Sequence, residues 1–179
     1  MGLDFSVNVV FKNKENGDVT SFMACYWRKA YGVRTELMNF ARHSIFKTDE
    51  DWDYTVNLKP EFLHVLKNKL LDMLKEDPIE SVFSNSMRSG YIIRRTTANE
   101  LKSLFAWEHI LDNLDRWRDE LENSEANEES PCLEDCFEPE AVVDAMNEQL
   151  VPREYAEKFL RVLYNIDHYD IYIEMENSY

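Results

Sequence analysis

Twelve carboxylates and not one lysine or arginine lie between Arg118 and Arg153: Asp119, Glu120, Glu122, Glu125, Glu128, Glu129, Glu134, Asp135, Glu138, Glu140, Asp144 and Glu148. The chain as a whole has net charge -15, so this stretch supplies -12 and the other 145 residues only -3. The chemistry of such an array is electrostatic rather than covalent. It repels nucleic acid and membrane surfaces and attracts basic protein surfaces. Leu121, Leu133, Phe137, Val142, Val143 and Met146 are interleaved with the acids, which predicts that much of the stretch is folded. A folded carboxylate array can imitate a phosphate backbone. Duplex DNA carries about one charge per 1.7 Å of axis, and a helix rises about 1.5 Å per residue. An acid at every second or third residue therefore approaches the charge density of one DNA strand. The partner-binding set expected on this reading is Asp119, Glu120, Glu122, Glu125, Glu128, Glu129, Glu134, Asp135 and Glu138, with Phe137 and Leu133 as apolar anchors. A solvated helix end followed by a surface loop is the plainer reading of the same residues.

A second constellation is basic and aromatic: Arg88, Tyr91, Arg94, Arg95 and Lys102. Guanidinium groups beside a tyrosine suit a phosphate and a stacked base, which makes a nucleotide second messenger the alternative ligand. Against this, Arg94 and Arg95 fall on opposite faces of any strand and could simply pair with the acids. No metal is expected. Zinc needs four ligands, usually as two close pairs; Cys132 and Cys136 form one pair, and His43, His64, His109 and His168 are scattered. No catalytic residue and no cofactor is assigned. Nucleophile-elbow, phosphate-loop, dinucleotide and zinc-protease motifs are all missing, and four glycines leave little for a phosphate-cradling loop. Cys25 follows Phe22-Met23-Ala24 and reads as a buried, inert thiol rather than a nucleophile at a helix start. The chain is thus read as a binding protein and not an enzyme, an unrecognised hydrolase being the remaining alternative.

The elements that must position these residues follow from periodicity. Phe5–Lys12 alternates as a strand, Asn16-Gly17 is a hairpin turn, and Val19–Ala24 returns. Tyr26, Ala30, Val33, Leu37 and Phe40 step by four and three, which predicts a helix. Thr48–Asp53 reads as a short acidic loop and Tyr54–Leu58 as a brief strand. Pro60 suits the first position of a helix whose stripe is Leu63, Leu66, Leu70, Met73 and Leu74, ended by Asp77-Pro78. Glu80–Phe83 and Tyr91–Arg95 read as two short strands. Thr97 and Glu100 form a capping box for a long helix, about 97–122. Leu101, Leu104, Leu111, Leu114 and Leu121 line it, widened by Trp107, Ile110 and Trp117. Pro139 opens a short helix, a further one holds Tyr155, Phe159, Val162, Leu163 and Ile166, and Ile171, Ile173 and Met175 alternate in a last strand. The fold class expected is α+β, a small antiparallel sheet packed with several helices. A core over 1–122 would carry an acidic insert over 123–152, and residues 153–179 would complete that core as one domain.

Hydrophobic content of 44% and aromatic content of 13% fit a folded chain of 179 residues. No apolar run approaches the roughly 18 residues that span a bilayer, and the start reads as no secretory signal. Gly2 with Ser6 meets the myristoylation pattern formally, but a strand over the same residues argues against it. Three cysteines, an odd count, suit a reducing cytoplasm. Surface Trp and Tyr could also serve a homodimer.

Met1-Gly2-Leu3-Asp4 before a strand, and then Tyr26-Trp27-Arg28-Lys29-Ala30, resemble a family of small phage and prophage proteins. Its members start Met-Gly-Leu-Asp or Met-Gly-Met-Asp and carry a Tyr-Trp-Arg-Lys-Ala helix. A later strand and Leu-rich helix match Tyr54–Val56 and Pro60–Leu74, so the resemblance covers residues 1–75. Members end in a compact part with a Gly-Phe-Phe-like turn, of which Ser89-Gly90-Tyr91 is a trace, and the acidic stretch is extra. The family has no established activity, so the resemblance implies a phage setting and no mechanism. With the acidic stretch added, it implies a counter-defence inhibitor of the anti-CRISPR or anti-restriction kind, acting in the bacterial cytoplasm.

Overall fold

The computed structural model describes residues 4–28, 31–52, 54–75, 104, 107–115, 162–163 and 165–178. In chain order these give β1 (Asp4–Asn13), β2 (Val19–Arg28), α1 (Tyr31–Arg42), β3 (Lys47–Trp52), β4 (Thr55–Leu58), α2 (Phe62–Lys75), a 3-10 turn (Ile166–His168) and β5 (Tyr169–Ser178). The strands make one sheet in the order β2-β1-β5-β4-β3. The pairs β3–β4 and β4–β5 are antiparallel, with Val56 opposite Met175 and Leu58 opposite Ile173. Between β1 and β5 the amide of Lys14 donates to the carbonyl of His168, and Asn8 reaches Glu174. The two position numbers sum to the same value in both pairs, as antiparallel pairing requires. The expected α+β class is therefore what the described residues form.

These residues fall into two compact units. The first takes in residues 1–10, 21–104 and 171–179, and so holds most of the sheet with α1 and α2. The second takes in residues 11–20 and 105–170, and so holds the β1–β2 turn and the 3-10 turn. In the first unit, Phe5, Val7 and Val9 of β1, Ile173 and Met175 of β5, and Val56 and Leu58 of β4 are all buried. They stand at alternate positions, so they share one face of the sheet. α1 packs on β4 and buries Leu37, Met38 and Ala41, while α2 buries Phe62, Leu63, Leu66 and Leu70. The helices meet through Phe40 and Phe62, whose rings lie 5.8 Å apart. Lys69 of α2 pairs with Glu36 of α1, and its ammonium sits 5.9 Å from the Phe40 ring. Lys69→Ala is expected to cost about 1 kcal/mol, since a half-exposed ion pair and a cation–π contact each contribute about 0.5 kcal/mol. Denaturant titration measures it.

The β1–β2 turn is held by local chemistry. The Asn13 side-chain oxygen accepts from the amides of Glu15 and Asn16, and Asn16 in turn accepts from the amide of Asp18. Gly17 closes the turn at φ 76°, a conformation other L-residues adopt at a cost. A Cβ there would meet nothing within 4 Å. Gly17→Ala is thus expected to lose about 1–2 kcal/mol of stability through backbone conformation alone. Gly17→Asn should lose less than half of that, as read by chemical denaturation.

Two expectations are corrected. Tyr26 does not begin a helix: β2 continues through Arg28, and α1 starts at Tyr31. Pairing with β1 wins because it buries Trp27 fully, stacked on Phe5 with ring centroids 5.4 Å apart. Burial along β2 changes phase between Ala24 and Cys25, as an extra residue in a strand produces. The Tyr-Trp-Arg part of the family-like motif therefore ends a strand. Likewise, Lys47–Trp52 is strand β3 rather than an acidic loop. It lies at the end of the strand order, where charged residues are tolerated. Its register slips between Lys47 and Asp51, and there the Thr48 hydroxyl donates to the Asn57 carbonyl at 3.0 Å.

Of the expected long helix, residues 104, 107–112 and 114–115 are helical. Leu104, Trp107 and Ile110 are its buried positions, while Leu111 and Leu114 are half-buried. Val162 and Leu163 are helical and buried as expected, and Ile166 sits instead in the 3-10 turn. The strands expected at 80–83 and 91–95, the capping box and the acidic insert over 123–152 lie outside the described residues. No helix among the described residues is long and apolar enough to cross a membrane.

Candidate functional site

The face of the sheet opposite the apolar one is polar. In β1 it is formed by Asp4, Ser6, Asn8 and Lys12 with buried, apolar Val10 among them, in β4 by Thr55 and Asn57, and in β5 by Tyr172, Glu174 and Glu176. Strand alternation places them there, because each stands next to a buried apolar residue of its own strand. Three of them form a row across adjacent strands. Asn8 donates from Nδ2 to Glu174 Oε1 at 3.4 Å, and also to the Ser6 hydroxyl oxygen at 3.3 Å. Asn57 stands directly opposite Glu174 in the β4–β5 register.

The row is withdrawn from water at both ends. Asn8 is 9% exposed and Asn57 8%. The Asn57 side-chain oxygen has no hydrogen-bond partner. An unpaired buried oxygen costs about 1–3 kcal/mol, so its retention calls for an explanation. Burial pushes the Glu174 carboxyl above the usual carboxylate value; the Asn8 amide works against this, and Glu176 adds to it. On the neighbouring strands the facing residues Ser6, Asn8, Val10, Thr55 and Asn57 carry no charge. Elsewhere on this face, the Tyr26 hydroxyl bonds Asp4 and is raised chiefly for that reason.

The linkage sign for Glu174 is definite. The fold favours the protonated form, so it binds more protons than the unfolded chain between the ordinary value of 4.5 and the raised one. Stability therefore falls as pH rises through that window and stays lower above it. Glu174→Gln keeps the Asn8 contact and removes the charge. Its melting temperature is expected to exceed that of the parent protein at pH 7 and to converge with it below pH about 4.5. A gap that stays constant with pH would contradict this.

The residues singled out from the sequence are placed as follows. Asp119, Glu120, Glu122, Glu125, Glu128, Glu129, Leu133, Glu134, Asp135, Phe137 and Glu138 lie outside the described residues. So do Arg88, Tyr91, Arg94, Arg95, Lys102, Cys132 and Cys136. The four histidines are exposed, and each has a neighbour of its own: His43 with the Asn39 carbonyl, His64 with Asn68, His109 with Asn113 and His168 with Glu15. Cys25 is buried within β2, six positions before Tyr31, the first residue of α1. The row Asn8–Glu174–Asn57 was not singled out. Its signal is in the sequence all the same, as polar residues at every second place between Val, Ile and Leu.

Comparison with protein families, curated proteins and solved structures finds no match for this chain.

Proposed function

We propose that the chain is a phage- or prophage-encoded counter-defence protein. It binds and inhibits a host nucleic-acid-binding effector, a CRISPR nuclease foremost, through an acidic surface that imitates DNA. The observation that carries this reading is charge segregation. Residues 1–75, which hold every element from β1 to α2, contain eleven lysines and arginines and ten carboxylates. Residues 119–152 contain twelve carboxylates and no base. A near-neutral scaffold adds little long-range field of its own, so the attraction is confined to one segment.

The segment would occupy the groove in which the effector's lysines and arginines hold phosphates. Phe137 and Leu133 would anchor its centre, and the acids around them would set orientation and on-rate. No covalent step is involved, and nucleic acid is excluded by competition. The phage setting rests on the resemblance at Met1–Asp4 and Tyr26–Ala30. The bacterial cytoplasm is where such an effector works.

The test is a pull-down from a bacterial lysate rich in nuclease-based defence systems, eluted in salt steps. Screening length falls from about 10 Å at 0.1 M to about 3 Å at 1 M, so a charge-held partner leaves early in the series. A single nuclease eluting as salt rises, and displaced by duplex DNA, is the expected result. An empty pull-down from well-folded protein would overturn the reading.

A further inference from the structure

We infer that the row Asn8–Glu174–Asn57 on the polar face of the sheet binds a primary alkylammonium group. This does not rest on the acidic segment. It rests on a side-chain oxygen, a carboxylate and the register that brings them together.

The unsatisfied groups are acceptors. The Asn57 oxygen is buried and unpartnered. Glu174 has given one long contact, 3.4 Å, to Asn8, and a carboxylate has about four lone-pair sites, so acceptor capacity remains. Asn57 and Glu174 are directly opposed, which puts their Cβ atoms about 5 Å apart. A group that satisfies both must donate at least two hydrogen bonds and carry positive charge. One register step along, Glu176 stands opposite Thr55 and supplies a further carboxylate.

A primary ammonium has three N–H donors, which matches acceptors from Asn57, Glu174 and Glu176. Calcium would need about six to eight oxygens. Among the described residues, no group of three His, Cys, Asp or Glu side chains could hold a metal ion. A guanidinium presents its donors in a flat, rigid fork that matches the two oxygens of one carboxylate, whereas acceptors from three separate side chains suit the three donors of a compact ammonium. On its other side the row is bordered by buried Val10 and by Tyr172, an apolar edge on which a short alkyl stem can lie. An ionised Glu174 half-withdrawn from water costs the free protein stability, and a bound cation offsets that cost.

The cation has two possible sources: a lysine side chain of a protein partner, or a free amine. Nuclear magnetic resonance of the full chain separates them. n-Butylammonium is titrated while the side-chain amide signals of Asn8 and Asn57 are followed. A saturable shift at both is expected, with tetramethylammonium, equally charged but without N–H donors, at least tenfold weaker. Glu174→Gln and Asn57→Ala should each weaken binding about tenfold, the fold-change for one charge-assisted or buried hydrogen bond. Tighter binding of Nα-acetyl-lysine amide would assign the site to a lysine of a protein, and tighter binding of putrescine to a free amine; either supports the inference. Three results would each overturn it: no saturable shift at Asn8 and Asn57, an equal response to tetramethylammonium, or unchanged affinity in both variants. A chain with lysines at four of the acidic-segment positions should still bind the amine, so failure here and failure of the proposed inhibitor role are told apart.

Discussion

Trp27→Ala is expected to lower stability by about 3–5 kcal/mol, as the loss of a large, fully buried side chain does. The side chain is fully buried and stacked on Phe5 at a ring separation of 5.4 Å and an interplanar angle of 29°. Its removal leaves a void beside a ring that has lost its neighbour. For a chain of this size, about 4 kcal/mol corresponds to a drop in melting temperature of about 8–16 °C. Trp27→Phe should behave differently. The indole Nε1 is buried without an acceptor, and such a donor costs about 1–3 kcal/mol. Phenylalanine forfeits volume but also removes the unpaired donor, so the net loss should stay within about 2 kcal/mol. Phe5→Ala should match Trp27→Ala in size, and the double variant should recover about 0.5–1.5 kcal/mol of coupling. Urea titrations of the parent protein and the four variants decide this. A Trp27→Phe loss as large as that of Trp27→Ala would mean that volume alone governs the site.

How the sequence foretells this core is uneven, for identifiable reasons. β1, the Asn16-Gly17 turn, β4, the α2 stripe and the alternation in β5 are local patterns, and each can be read within ten residues. The end of β2 cannot. Tyr26, Ala30, Val33, Leu37 and Phe40 fit a helical period, yet aromatic residues such as Tyr26 and Trp27 are equally good strand formers. Only the presence of Phe5 across the ladder decides between them. The same holds for Lys47–Trp52, whose acids read as loop until β4 pairs with them. The candidate site was hidden for a stronger reason. Asn8 and Glu174 are 166 positions apart, and Asn57 joins them only because the last strand enters the sheet between β1 and β4. Alternation tells which residues of a strand share a face, but nothing local tells which strand lies beside it. Charge, by contrast, needs no topology to be read, which is why the acidic stretch dominates any reading of the sequence.

Replacing Glu120, Glu125, Glu129 and Glu134 with lysine changes the net charge of the chain from -15 to -7, since each reversal adds two units. Each also replaces an attraction to a basic partner by a repulsion. At about 1 kcal/mol per position for the two effects together, the four should cost about 4 kcal/mol of binding, roughly a thousandfold in affinity. The melting temperature should move by only a few degrees, because substitutions that break no buried contact are usually small. A control of the same kind falls on the scaffold: Glu61 and Asp72 are exposed and far in sequence from the acidic run. Their reversal to lysine should change affinity by less than about threefold. Salt supplies the second arm. If charge carries the interaction, the parent protein's affinity falls steeply as salt rises, while that of the fourfold variant is already weak and nearly flat. Affinity that survives the four reversals would mean that partner recognition lies elsewhere on the molecule. Affinity lost equally in the scaffold control would mean that total charge, and not its placement between Arg118 and Arg153, is what the partner senses.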